Sequence, residues 1–247
     1  MSAVPDLLAP WYKACANHVT DAIYHRYGSA ELHCGGARVV PLPQVGDYQL
    51  SILRGNRGAA LGCVSAAMDA GASLAQACVQ IVQPAMYEVG NLWQKNQISV
   101  AQEHLATAIS ENVMAGAYMK ATFRPSTGKS AVFACVQDNC HGLGLRMVSD
   151  AFETQGWDAT WLGTDIATQD LVREIDRRRP DLLGLSATLP QHLITARQTI
   201  DSLRSELGSR CPTIWIGGLA TLSSEPVWRN SRADGWAGDA LHALEQL

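Results

Sequence analysis

The chain has 247 residues, 47% of them hydrophobic and 17% charged, with a formal net charge of −4. This is an ordinary globular mixture, with enough apolar content for one large core or two small ones, and its charge gives no bulk attraction to a phosphate backbone, so direct nucleic-acid binding is not expected. No run reaches the roughly 18 consecutive apolar residues of a membrane helix, and Met1-Ser2-Ala3-Val4-Pro5-Asp6 lacks the basic and apolar parts of a signal peptide, so a soluble cytoplasmic protein with no membrane partner is expected.

Residues 1–46 start with a helix-like stretch over 8–27 and then lose their period in His33-Cys34-Gly35-Gly36 and Val40-Pro41-Leu42-Pro43, which read as loop. This is an N-terminal extension. Residues 47–124 are Ala-rich, with apolar positions recurring at three and four spacing and glycines at 55, 58, 71 and 90 marking the boundaries, the signature of a four-helix bundle. Ser73-Leu74-Ala75-Gln76 and Ser99-Val100-Ala101-Gln102 each place a serine at a cap and a glutamine three residues on, so helices should start at both serines. The second box sets Glu103 and His104 in the first turn or so of a helix, with Trp93 near the end of the preceding one.

Arg124-Pro125-Ser126-Thr127-Gly128 reads as a linker. Beyond it, over 129–247, short β-branched runs alternate with helical stretches, the pattern of a Rossmann-like, flavodoxin-like parallel sheet with crossover helices. Strands are expected over 131–136, 159–162, 182–185, 213–216 and 235–237, and helices near 142–154, 168–179, 194–207 and 240–247. The fold class is thus α/β, a helical-bundle cap followed by an open parallel sheet. In such sheets a ligand binds outside the carboxyl ends of the strands, where the strand order reverses. The turns 138–144, 163–166, 186–190 and 217–221 all lie on that edge. The cysteines, seven at 15, 34, 63, 78, 135, 140 and 211, include no Cys-x-x-Cys pair, which argues against a disulfide framework or a zinc ribbon.

His141 follows the first strand of the sheet, where neutral imidazole would meet a ligand and suits a borderline transition metal such as cobalt. Gly142 and Gly144 allow a bulky planar group to approach the backbone, and Asn139 is placed to hydrogen-bond the second ring nitrogen. Asn139 to Gly144 resembles the Asp-x-His-x-x-Gly loop of cobalamin-binding domains, in which the histidine is the lower axial ligand of cobalt. The resemblance departs at Asn139, where an acidic residue is usual, so the charge that makes the histidine more electron-donating is missing. It extends to Ser186-Ala187-Thr188 and Gly217-Gly218, which match the turn and glycine pair that line the slot for the cofactor's nucleotide tail; the glycines also read as a plain strand-to-helix turn.

Trp93, nine residues and then Glu103-His104 resemble the cap of adenosylcobalamin-dependent light-sensing regulators, where an aromatic ring and an acidic residue enclose the adenosyl group. Some of these have a histidine after the cap tryptophan; here Gln94 stands in that place. The resemblance covers residues 47 to about 240 and implies adenosylcobalamin as cofactor, His141 as the cobalt ligand, photoreception without turnover, and output to a protein partner such as a transcription regulator. Among standalone relatives are photocobilins, which add a bilin. Trp11, Tyr12, His18, Tyr24, His25 and Tyr27 suit either a share in enclosing biliverdin or a packing or homo-oligomer contact. The alternative implied by the same loop is a corrinoid methyl carrier of a methyltransferase system.

Overall fold

The computed structural model describes residues 32–34, 37–39, 44–222 and 227–247. The helix expected over 8–27, with its aromatic and histidine residues, lies outside the described residues. Two short strands, β1 (Leu32–Cys34) and β2 (Ala37–Val39), pair antiparallel where the sequence reads as loop. The two residues between them in the sequence are Gly35-Gly36, a pair that two-residue hairpins favour.

The cap holds helices α1 (Val45–Leu53), α2 (Arg57–Asp69), α3 (Leu74–Ala77), α4 (Gln83–Gln94) and α5 (Val100–Tyr118), with α3 running into α4 through a π-helical turn, Cys78–Val82. The four-helix bundle expected from the periodicity is present, and its first helix begins at Val45, so a boundary at 46/47 falls inside its first turn. The π turn has a chemical cause in Pro84, which cannot donate to the carbonyl four residues back and would crowd it in an unbroken α-helix. There Gln83 N–H reaches Cys78 O, five residues back. Both capping boxes form as expected: the side chains of Ser73 and Ser99 accept from Gln76 and Gln102 N–H, at 3.2 and 3.3 Å. Each glutamine answers its serine's N–H, at 2.8 and 2.9 Å. Ser99→Ala should lower stability by about 1 kcal/mol, the usual value of such a cap, measurable as a shifted urea midpoint with unchanged slope.

The sheet has five parallel strands in the order β4-β3-β5-β6-β7. These are β3 (Ser130–Val136), β4 (Asp158–Ile166), β5 (Leu182–Ser186), β6 (Thr213–Gly217) and β7 (Gly235–Trp236). The helices between them are α6 (Leu143–Thr154), α7 (Thr168–Arg178) and α8 (Pro190–Leu207), and α9 (Ala240–Leu244) closes the chain. This is the doubly wound order whose reversal lies at its first strand, so the crevice opens between the loops after β3 and β5. One face of the sheet packs on α7 and α8 through Leu171, Ile175, Ile200 and Leu203. The other carries Phe133 and Phe152, which meet edge-to-face at 5.1 Å.

The bundle core continues into the α/β part through Met147 and Ala151 of α6 and Ala240 of α9. The stretch read as a linker is held down as well: Arg124 N–H bonds Thr154 O at 2.9 Å and Thr127 N–H bonds Gly156 O at 2.8 Å. Two elements are longer than the sequence suggests. Strand β4 runs past 162 to Ile166 because two register shifts against β3, which pass over Leu162 and then fall between Gly163 and Ile166, let the pairing continue. Helix α8 begins at Pro190, not near 194, since proline is favoured at the first helical position. Among the described residues no helix is long and apolar enough to cross a membrane.

Candidate functional site

The site grows from the end of β3. Val136 O accepts Asn139 N–H at 3.0 Å, closing a turn in which Asp138 adopts φ 68°, and the chain then passes through His141 into α6. Asn139 is fully buried. Its Nδ2 donates to Ser186 O at 2.9 Å, across the crevice at the end of β5. That fixes the amide's orientation, so Oδ1 faces His141, accepting its backbone N–H at 3.1 Å and lying 3.3 Å from its Nδ1. An amide oxygen can only accept, so Nδ1 carries the ring proton and Nε2 keeps its lone pair for a ligand. Asn139 thus does what an acidic residue would do for the tautomer, without the charge. Asp138 does not replace that charge at His141: its backbone N–H is held by Asp165 Oδ1 at 2.7 Å, and its charge acts on His192 instead.

His141 is open to solvent yet sits among enough protein to lose much of its hydration, and this desolvation pushes its pKa below the ordinary histidine value. The charge of Glu103 opposes the shift. The first turn of α5 is thus near enough for its charge to be felt at the histidine in the loop after β3, thirty-eight positions along the chain. Glu103 is held by its own helix: Oε1 accepts Thr107 Oγ1–H at 2.8 Å and Oε2 meets His104 Nδ1 at 2.5 Å. The His104 side chain is 74% exposed, against 25% for Glu103, so of the pair Glu103 is the one the protein surrounds. Trp93 is partly buried at the last turn of α4, at the same end of the bundle.

Ser186 and Thr188 are both buried at the head of β5. The two positions of the glycine pair have intramolecular reasons to lack a side chain. A Cβ on Gly217 would lie 2.7 Å from Ala237 O, and one on Gly218 2.4 Å from Ala187 O, with φ at +98° besides. Gly142 likewise permits contact with β4, since a Cβ there would meet Thr164 Cγ2 at 2.6 Å and Trp161 Cζ2 at 3.0 Å. Gly144 differs: it is exposed and a Cβ would meet nothing within 4 Å, so the protein itself gives no steric reason for it.

His192 escaped sequence reasoning. It is buried on the first turn of α8, and its Nδ1 accepts Thr188 N–H at 3.3 Å and Leu189 N–H at 3.2 Å. Pro190 was the available signal: a proline opening a helix puts His192 at its third position, where a side chain can reach back to cap.

These residues fit a metal that arrives already chelated. Among the described residues no three His, Cys, Asp or Glu side chains gather as a metal site, whereas His141 presents one neutral, tautomer-locked imidazole beside an uncovered glycine. A single donor of that kind suits an axial position.

Residues 129–247 match the B12 binding domain, and residues 46–117 match a second domain of the same description. The HTH-type transcriptional repressor CarH of Myxococcus xanthus is 30% identical over 149 residues, 60% of this chain and 48% of that protein. A corrinoid protein of Desulfitobacterium hafniense (strain Y51) is 30% identical over 121 residues, 49% of this chain and 54% of that protein. The chain thus spans about half the length of these curated relatives. In fold it is similar to the Methanosarcina barkeri monomethylamine corrinoid protein, with a TM-score of 0.66, 20% identity, and coverage of 81% of this chain and 96% of that one.

Proposed function

Because the chain carries a helical B12 binding domain followed by an α/β B12 binding domain, we propose that it is a cobalamin-binding photosensor that responds to light with its cap and signals to a protein partner such as a transcription regulator. Bound adenosylcobalamin would supply a visible-light-sensitive Co–C bond. What supports the reading is that the charge of Glu103, in the first turn of α5, acts on His141, the axial-ligand candidate in the loop after β3. His141 would hold the cobalt through Nε2. Trp93 and Glu103 flank the α4–α5 connection and would enclose the cofactor's organic group and exclude water from it. Emptying that volume removes packing from the two helices that bound it, and they repack. The 30% identity to a transcriptional repressor supports a regulatory output. Such a protein senses without turnover, in the cytoplasm, and a bilin such as biliverdin is a compatible second chromophore.

A second reading, a corrinoid methyl carrier, is supported by the equal identity to a corrinoid protein. Absorption spectra of the protein reconstituted with adenosylcobalamin, taken in the dark and after green light, decide between them. The sensor predicts dark retention of adenosylcobalamin and a light-driven change to a protein-bound cob(III)alamin spectrum, weakened in Trp93→Ala. Preference for methylcobalamin, with methyl transfer to a thiol or a folate, would establish the carrier instead. A red band in the protein as isolated would mark a bilin.

A further inference from the structure

Asn139, whose amide locks the His141 tautomer, stands where three strand ends meet. Its N–H closes the turn to Val136 O at the end of β3, and its Nδ2 reaches Ser186 O at the end of β5. The third tie comes from β4. Asp165, one residue before the end of that strand, donates its backbone N–H to Asn139 O at 3.0 Å, and its Oδ1 accepts Asp138 N–H at 2.7 Å. A single residue thus brackets the Asp138–Asn139 pair with a donor and an acceptor. Both aspartates hold left-handed backbone, φ 68° at Asp138 and 54° at Asp165. That conformation costs a non-glycine residue free energy and persists where surrounding contacts impose it. The backbone bond is enough to continue a strand pairing. The carboxylate bond, which is charge-assisted, goes instead to the strained residue of the turn that carries Asn139.

We propose that Asp165 is a positioning residue for the axial ligand: it clamps the turn after β3 so that Asn139 Oδ1 meets His141 Nδ1 and the imidazole keeps one orientation. The inference rests on the cobalamin reading for its metal, although the clamp itself belongs to the protein alone. Partners that orient a metal ligand matter about 10- to 100-fold in metal affinity.

Two variants at this exposed position separate the clamp from the fold. Asp165→Gly removes the acceptor, keeps the backbone N–H and suits the positive φ; Asp165→Asn keeps an acceptor oxygen without the charge and tolerates the same backbone. We expect Asp165→Gly to melt near the parent, yet in the cofactor-free protein the amides of Asp138, Asn139 and His141 should all exchange faster. With hydroxocobalamin it should bind roughly 10-fold more weakly and lose the spectral signature of imidazole ligation. Asp165→Asn should restore parental exchange, affinity and spectrum. If only the Asp138 amide exchanges faster in Asp165→Gly, or ligation falls only in proportion to the melting point, the bond is local and the clamp is refuted. Loss of ligation in Asp165→Asn as well would refute it too, by making the charge and not the hydrogen bond responsible. Exchange in the cofactor-free protein reads the clamp even if the parent shows no photochemistry, an outcome that would sink the photosensor reading instead.

Discussion

His141→Ala leaves a folded protein whose bound cobalamin has lost its imidazole ligand. The side chain is open to solvent, so its removal creates no cavity, and the loop retains the Asn139–Ser186 bond at 2.9 Å and the Asn139 turn to Val136. Affinity should fall by more than the roughly 10- to 100-fold that losing an outer partner brings, because the ligand itself is gone. Titration with hydroxocobalamin, read by absorption, measures both the affinity and the change of lower ligand. Unchanged spectra would remove His141 from the cobalt.

The acidity of the ring adds a pH dependence with a definite sign. Desolvation holds the folded pKa of His141 below the ordinary value of 6.5, against the pull of Glu103. The neutral, metal-binding form therefore survives further into acid than a free imidazole would, and axial ligation should be lost only below the usual histidine range. Glu103→Gln removes the charge that pulls the pKa up, so it moves that loss to still lower pH. For stability the depressed pKa works in the other direction: the unfolded ring takes up its proton first. The contribution of His141 is complete above about pH 6.5 and shrinks as pH falls from there towards the folded pKa.

Much of this site is written in local chemistry that a single sequence exposes. The capping box at Ser99 places Glu103 on its helix whatever the tertiary structure, and a histidine after a β-branched run must stand at the edge of the sheet. Alternation of strands and helices calls for a parallel sheet with right-handed crossovers, but the order β4-β3-β5-β6-β7 is not written in it. Less accessible was anything made by two distant segments. Nothing local in Asn139 says that its amide will bridge to the carbonyl of Ser186, 47 residues on, and so become a tautomer lock instead of a weaker acid substitute. His192 was hidden because its helix begins four residues before the apolar period becomes visible. Strand β4 extended past its expected end because Gly163 and Asp165, which read as turn chemistry, sit in a bulged strand whose register is set by β3. Exposure was equally invisible: Glu103 and His104 are neighbours in sequence and alike as candidates, and only packing against the rest of the cap separates them.

The glycines carry the sharpest remaining contrast, because the same residue type serves two masters. Gly218 has φ 98° and ψ 167°, a conformation essentially reserved for glycine. A methyl group there would press on Ala187 O at 2.4 Å, and on Ala187 N at 3.0 Å, backbone atoms that belong to the Ser186–Thr188 turn. Strain and overpacking together should remove ~3 kcal/mol or more in Gly218→Ala, lowering the melting temperature by roughly 10 °C for a protein of this size. Gly144→Ala occupies open space on the first turn of α6, where alanine is at least as good a helix former as glycine. It should melt at or slightly above the parent. If a planar cofactor lies against that bare backbone, Gly144→Ala must nevertheless bind cobalamin more weakly, whereas Gly218→Ala should bind in proportion to the fraction that is folded. Differential scanning calorimetry of the cofactor-free proteins and a cobalamin titration of each separate the two roles. Equal affinity in Gly144→Ala and the parent would mean that the cofactor rests elsewhere on this edge and that the bare turn after His141 serves only the entry into α6.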